Sequence, residues 1–574
     1  MSRSWLSSLS SADPGPGRPG ALGTAVVLFL ALLAAGVRGQ EPPPFQLQVD
    51  ESPHGIVAAA QPLATWAGTR MLEAGGNAAD AAVAAGFAIA VVEPTMNSIG
   101  GRTQILLRLP GAEVAGIDAT TQAPLTYDPR TAPQADYGYA VIGVPGAVAG
   151  LVRLSREYGT LPLETVMAPA IRYAEEGFRL LPGEAARQAA GAEEAAEFQG
   201  TRQYYLQADG SPYEAGDLLV QRDLARTLRS IAETGGESFY RGEIAERIAR
   251  DMEIHGGAVT TESLRNYVAR DALIVRGSYR GYDLAGSYIP AAGALAIEAL
   301  HILENFPLGT MTPAERAALV GRALELAFQD WRLQGPPEMA RQLTSKEWAA
   351  ERAAEIDLPL SVGVSGSGMA TGGPALPGLA WGDPARMEHT THLSTADAGG
   401  MMVALTQTLG PSMGSKVATP GLGFLYASTL GGYLGSMEPG ERARSNICPL
   451  LVLEDGEPLM VLGAAGGRMI PVAVVNAIVH FVDGGLSFPE AVMAPRVAPD
   501  RETGLLLETH PGAGWSPALV ETVRELGVEI RSIPREASFG RIHGIRWDRE
   551  RRVWVGMADP DWEGTALGVR RPGG

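Results

Sequence analysis

The sequence predicts a layered architecture of mixed helices and strands, α/β or α+β in class. Three observations carry this. Helical periodicity dominates the first two thirds of the chain, short extended runs separated by Gly-containing turns follow it, and 574 residues at 45% hydrophobic content supply a large core. Apolar positions at helical spacing over residues 63–74 predict a first helix, which Gly75-Gly76 ends. Asn77 is placed to cap a second helix running to about Val92; it is apolar on every side and so belongs in an interior. Pro94 stops it, and a turn at Gly100-Gly101 leads into an extended run over 104–109. Helices then predominate to about residue 356. Among them, Thr312-Pro313-Ala314-Glu315 sets a capping Thr, a first-turn Pro and an acidic third position ahead of a long helix. The Ser/Gly/Pro/Ala stretch 361–384 has almost no period and reads as a loop or linker. Beyond it the pattern predicts a strand over 392–396, a turn at Asp397-Ala398-Gly399-Gly400 and a strand over 401–408. Further strands over 450–453 and 459–462 precede an apolar helix over 470–481, and no repeat of fixed period is present.

Residues 1–39 read as an export signal: Arg3 and Arg18 precede an apolar run over 21–37, followed by small residues around Gly36 and Gly39 and then Glu41-Pro42-Pro43-Pro44. The alternative is an uncleaved membrane anchor, since the run approaches the ~18 residues that span a bilayer. A periplasmic or secreted protein is the expectation. The balance of 46 basic against 64 acidic residues gives a net charge of -18 without a long basic block, which argues against nucleic acid as a partner. A single Cys448 excludes an intrachain disulfide framework and any Cys-based metal cluster.

Single motifs carry little on their own. The eight histidines include no His-Glu-x-x-His, and His389 with His392 is the only close pair, which argues against a zinc protease. Gly410-Pro411-Ser412-Met413-Gly414 matches a serine-hydrolase elbow, but Pro420-Gly421 prevents the long helix that elbow needs behind it. Cys448 before Pro449 reads as a buried inert thiol. Gly463-Ala464-Ala465-Gly466-Gly467 follows a strand and opens a helix, a pattern that serves a tight turn or an anion cradle.

Taken in order, six stretches resemble the γ-glutamyltransferase family of N-terminal-nucleophile hydrolases. They are residues 75–83 running on to Glu93-Pro94, Gly143-Val144-Pro145-Gly146 and on to Gly150, residues 169–178, Thr390-Thr391-His392-Leu393-Ser394, Gly466-Gly467, and Ala494-Pro495-Arg496. The resemblance implies a four-layer αββα sandwich made as one precursor that cuts itself between His389 and Thr390. It implies a large subunit over 40–389 and a small subunit over 390–574, paired as a heterodimer. It also implies acyl transfer from a small-molecule amide or peptide, γ-glutamyl or related, first to Thr390 and then to water or an amine. The freed α-amine of Thr390, with a reference pKa near 8, can take the hydroxyl proton, so one residue carries nucleophile and base and no metal or organic cofactor is needed. Thr408 matches the family's second threonine, and Gly466 and Gly467 match the glycines whose N–H groups face the oxyanion.

The positions that match the family's glutamate-binding residues differ in type. Thr120 stands where the family has its carboxylate-gripping Arg, Gly410 where it has an Asn, and Thr429 and Gly432 lie in a run, 427–432, that lacks the family's carboxylates. Of the paired serines only Ser445 is kept, beside Asn446. Losing an Arg removes a bidentate, charge-assisted contact; Arg102 or Arg468 are alternative cations. Two other readings follow: an amidase whose donor is not γ-glutamyl, and a catalytically idle relative kept as a binding protein.

Overall fold

Asn77 begins the helix Ala78–Val92 with a reciprocal cap. Its side chain accepts from the N–H of Ala79 and Asp80, while Asp80 accepts from the Asn77 N–H at 2.9 Å. All fifteen residues of this helix are buried, as a helix without a polar face requires. The computed structural model describes residues 48–131, 134–359, 389–435, 437–500, 504–509, 514–534, 539–561 and 563–570.

The helix covers a seven-stranded sheet whose order is Thr565–Gly568, Gly55–Ala59, His389–Asp397, Met402–Gly410, Arg102–Arg108, Val114–Ala119 and Arg270–Asp271. A second seven-stranded sheet runs Val49–Ser52, Val553–Ala558, Arg541–Asp548, Glu457–Ala465, Leu450–Glu454, Tyr282–Ser287 and Ile274–Tyr279. Neighbours in both are antiparallel. The sheets pack face to face, with Ile56, Leu106, Met402, Leu451, Val461 and Trp554 sharing one apolar layer between them. Ala78–Val92, Ala147–Tyr158 and Leu163–Glu176 close the outer face of the first sheet, and Gly293–Glu304, Pro313–Asp330 and Met469–Val482 that of the second. The result is the four-layer αββα sandwich.

Thr312 caps Pro313–Asp330 through a reciprocal pair with Glu315, as its motif predicts. The expected predominance of helix to residue 356 misses the strand Val114–Ala119 and the hairpin Ile274–Tyr279/Tyr282–Ser287. The first strand of that hairpin lies at a sheet edge and is only partly buried, so it lacks a clean apolar alternation. The strands at 389–397 and 402–410 differ in bounds from the predicted 392–396 and 401–408: the first begins early enough to include Thr390, and the second runs past the predicted end at Thr408 to Gly410. The export-signal reading and the linker at 361–384 fall outside the described residues, and no described helix is long and apolar enough to cross a membrane.

Candidate active site

Strand register brings Thr390 and Thr408 together. The pairing joins His389 to Gly410 and Thr391 to Gln407, with a bulge at Thr390 between them. A bulge re-aims the side chain at its centre, and here the Thr390 hydroxyl donates to Thr408 Oγ1 at 3.2 Å. The Thr408 hydroxyl donates to the carbonyl oxygen of His389 at 2.6 Å, and the Gly410 N–H donates to Thr408 Oγ1 at 2.9 Å. Both threonines are buried. A donor on the His389 carbonyl draws electron density from its carbon, and the hydroxyl of the very next residue is fixed by the same bridging atom. One bridging oxygen thus links the Thr390 hydroxyl to the carbonyl of the residue before it.

Charge is concentrated behind this pair. Arg541 opens its strand opposite Ala465 and donates to the Thr390 carbonyl at 3.3 Å. Arg187 bridges Glu93 at 3.3 Å and Glu184 at 2.9 Å, and all three are buried. Burial raises the Glu93 carboxyl against the pull of Arg187 and Arg541, and its side chain faces Thr391. Burial first, then the cations Arg187, Arg541 and Lys416, push the His389 imidazole down to about 3, so it is neutral at physiological pH. Burial also lowers Arg541 to about 10. Of these, Glu93 closes the first of the motif stretches, whereas Arg187, Lys416 and Arg541 belong to none of them. Glu93 carried a signal: an acid at the end of an all-apolar helix demands a buried partner.

Gly466 and Gly467 form the turn between the strand Glu457–Ala465 and the helix Met469–Val482, with φ of +123° and +53°. Arg541 pairs with the residue just before this turn while donating to the Thr390 carbonyl, which sets the turn within an arginine's reach of the threonine pair. Two residues back, a Cβ on Gly463 would lie 2.4 Å from the His392 ring, so glycine lets that neutral imidazole seat between the sheets. His392 there contacts Thr406 Oγ1 at 2.7 Å and Ser394 Oγ at 3.2 Å.

The six recognition candidates divide. Gly410, at φ +90°, joins Thr408 directly. Thr120 and Thr429 sit together on neighbouring loops, but their hydroxyls are engaged internally, Thr120 with Asp118 at 2.9 Å and Thr429 with Thr121 at 2.9 Å. The Thr120 carbonyl accepts from Tyr267 and Arg442, which tie the loop to its support. Gly432 is exposed and packs on the Asp136 carboxylate, a negative charge that the 427–432 run itself lacks. The Ser445 N–H is anchored on the Pro290 carbonyl at 2.8 Å, and the Ser445 hydroxyl accepts from Ile447. Asn446 is half-buried beside it. The elbow Ser412 lies in a turn with no helix behind it, and burial pushes the Cys448 thiol up to about 12. Among the described residues no group of three or more His, Cys, Asp or Glu is placed to hold a metal ion.

Residues 64–569 match the family model described as Gamma-glutamyltranspeptidase. The Glutathione hydrolase proenzyme of Escherichia coli (strain K12) is 31% identical over 542 residues, 88% of this chain and 90% of the relative. The Acylase ACY 1 proenzyme of Pseudomonas sp. (strain V22) is 33% identical over 472 residues, 77% of this chain and 82% of the relative. The crystal structure of cephalosporin acylase from Bacillus halodurans superposes with a TM-score of 0.80 at 28% identity, covering 93% of this chain and 99% of that one. The fold, the order of the six resembling stretches and these likenesses agree: the chain belongs to the gamma-glutamyltranspeptidase family of N-terminal-nucleophile hydrolases.

Proposed function

We propose that the chain is an exported, self-processing acyltransferase and amidohydrolase in which Thr390 is both the cutting group and the later nucleophile. The observation that carries this is the continuous bridge from Thr390 Oγ1 through Thr408 Oγ1 to the His389 carbonyl. In the precursor, Thr390 Oγ adds to the His389 carbonyl carbon, with Thr408 donating to the developing oxyanion. The C–N bond then breaks, the hydroxyl proton goes to the leaving nitrogen, and the resulting ester is hydrolysed to leave a His389 carboxylate and a free Thr390 amine. This yields subunits over 40–389 and 390–574, which remain together as a heterodimer.

In turnover the Thr390 amine takes the hydroxyl proton as Oγ attacks the donor amide. The N–H groups of Gly466 and Gly467 receive the oxyanion, and the amine returns the proton to the departing nitrogen. Water or a second amine then resolves the acyl-Thr390 ester. The donor is a γ-glutamyl or related amide, in line with relatives named glutathione hydrolase and acylase. Thr120, Gly410, Thr429, Gly432, Ser445 and Asn446 line its approach.

Intact-mass measurement and N-terminal sequencing test this together. The expected result is a fragment beginning at Thr390, which gains one acyl mass when a slow donor is added; Thr390→Ala stays whole and loses at least about 10⁴-fold in amide hydrolysis. A folded wild-type chain that remains uncut sinks the proposal.

A further inference from the structure

The ladder that aligns the two threonines skips Thr390 itself, which the bulge leaves between the pairs His389–Gly410 and Thr391–Gln407. On the strand's other side, pairing with Gly55–Ala59 starts only at Leu393. A tie to this stretch comes from the second sheet. Arg541, 3% exposed, opens its strand opposite Ala465 and donates to the Thr390 carbonyl at 3.3 Å. That carbonyl belongs to the residue whose amine a cut would free, so the guanidinium stands one residue's backbone away from the future base.

Charges reach the 389–390 junction from each element packed on it. Arg541 and His543 share one strand, and Arg102 stands opposite Thr408 on another. Arg187 binds Glu93 at 3.3 Å and Glu184 at 2.9 Å, Lys416 faces Glu194 at 3.8 Å, and Asp559 pairs with Arg496. Asp561 adds to the charges acting on Arg541. Most of these acids thus sit against a cation of their own, and burial raises Glu93 toward its neutral form. The charges that act on His389 are Arg187, Arg541 and Lys416, all positive. The junction is therefore buried and electropositive.

We propose that Arg541 is a positioning residue for the mature nucleophile: it holds the Thr390 carbonyl after the cut, and its charge keeps the freed amine unprotonated, as a base must be. An ordinary chain-end amine, with a pKa near 8, is about nine-tenths protonated at pH 7 and cannot then accept the hydroxyl proton. Burial and a neighbouring cation both disfavour the ammonium form. The inference rests on Thr390 being the nucleophile.

The test reads that amine directly. Processed enzyme is treated with a trace of acetic anhydride over a pH series, and acetylation, which only the unprotonated amine undergoes, is read as added mass on the fragment beginning at Thr390. Lys416 is the one lysine in that fragment, and peptide mass separates it from the chain end. The wild-type midpoint should fall at about pH 7 or below, against about 8 for an ordinary chain end. Arg541→Gln keeps a donor but not the charge and should return the midpoint to about 8, whereas Arg541→Lys should hold it within about 0.3 of the wild type. With γ-glutamyl p-nitroanilide as donor, Arg541→Gln should lose about 5- to 10-fold in kcat/KM near pH 6.5 and less than about 3-fold near pH 9. Should the variants stay uncut, the wild-type midpoint still decides. An ordinary wild-type midpoint, or one unmoved by Arg541→Gln, overturns the role of Arg541 and leaves Thr390 standing. A folded wild-type chain that yields no fragment beginning at Thr390 overturns both.

Discussion

Thr390 and Thr408 take their places from a ladder in which residues 391–396 each face a set partner, whereas Thr120, Thr429 and Ser445 take theirs from loops whose hydrogen bonds close on one another. In the ladder, a side chain's direction follows from the count of residues along the strand, and the bulge sets only Thr390 off that count. In the loops, the same residue types are engaged in holding the loop. The atoms proposed to react and those proposed to recognise the donor are thus kept by different means, so that the second set could change while the first stays still.

The sharpest way to break this contrast is Thr408→Val, which keeps the strand and removes the bridging hydroxyl. Cutting before Thr390, followed by gel, should slow by about 100- to 1000-fold; a normal rate would mean that the ladder merely carries the bond. Next comes Gly466→Ala. Its backbone has φ +123° and the new Cβ would press on Gly540 Cα at 2.9 Å, so the N–H groups of the turn must shift. A loss of about 100-fold in kcat on a pre-cut sample is expected.

A third measurement uses pH and the uncut Thr390→Ala chain. His389 and His543 are pushed down to about 3 by burial and nearby cations, and His392 is also held well below its ordinary 6.5. All three lie on the central strands, and the loops 120–124 and 427–446 contain no histidine. The unfolded chain takes up protons below 6.5 while the folded chain does not, so stability is full above 6.5 and is lost as pH falls toward 3. The urea midpoint should drop by the equivalent of about 1–2 kcal/mol per histidine between pH 7.5 and 5. The smallest effect belongs to the loops: Thr120→Val should change turnover less than about 3-fold while lowering stability by about 1 kcal/mol, through the lost bond to Asp118.

Much of the frame was readable in advance because its signals are local. Asn77 and Thr312 announce their helices through side chains that cap their own N–H groups, and the apolar helix Ala78–Val92 could only be interior. Thr390 and Thr408 were reached through resemblance, not periodicity, and no local rule fixes a bulge at Thr390. The charged layer was out of reach for a plainer reason. Glu93, Arg187, Lys416 and Arg541 are far apart in the chain and meet only once both sheets are packed. The fit of Gly463 against His392 is likewise a contact between sheets, invisible to any reading along one strand.

The position of the Thr390 strand has a consequence for the life of the molecule. It lies second from the Thr565–Gly568 edge strand, between Gly55–Ala59 from the early chain and Met402–Gly410 from the late one. A nick in front of it would leave two polypeptides woven through shared sheets, each supplying strands the other lacks. Their separation would be indistinguishable from melting, and the halves would have no covalent memory of their register. Maturation of this kind could happen only once: on the proposed route a single thread assembles first, and once severed it would keep its shape by never letting go.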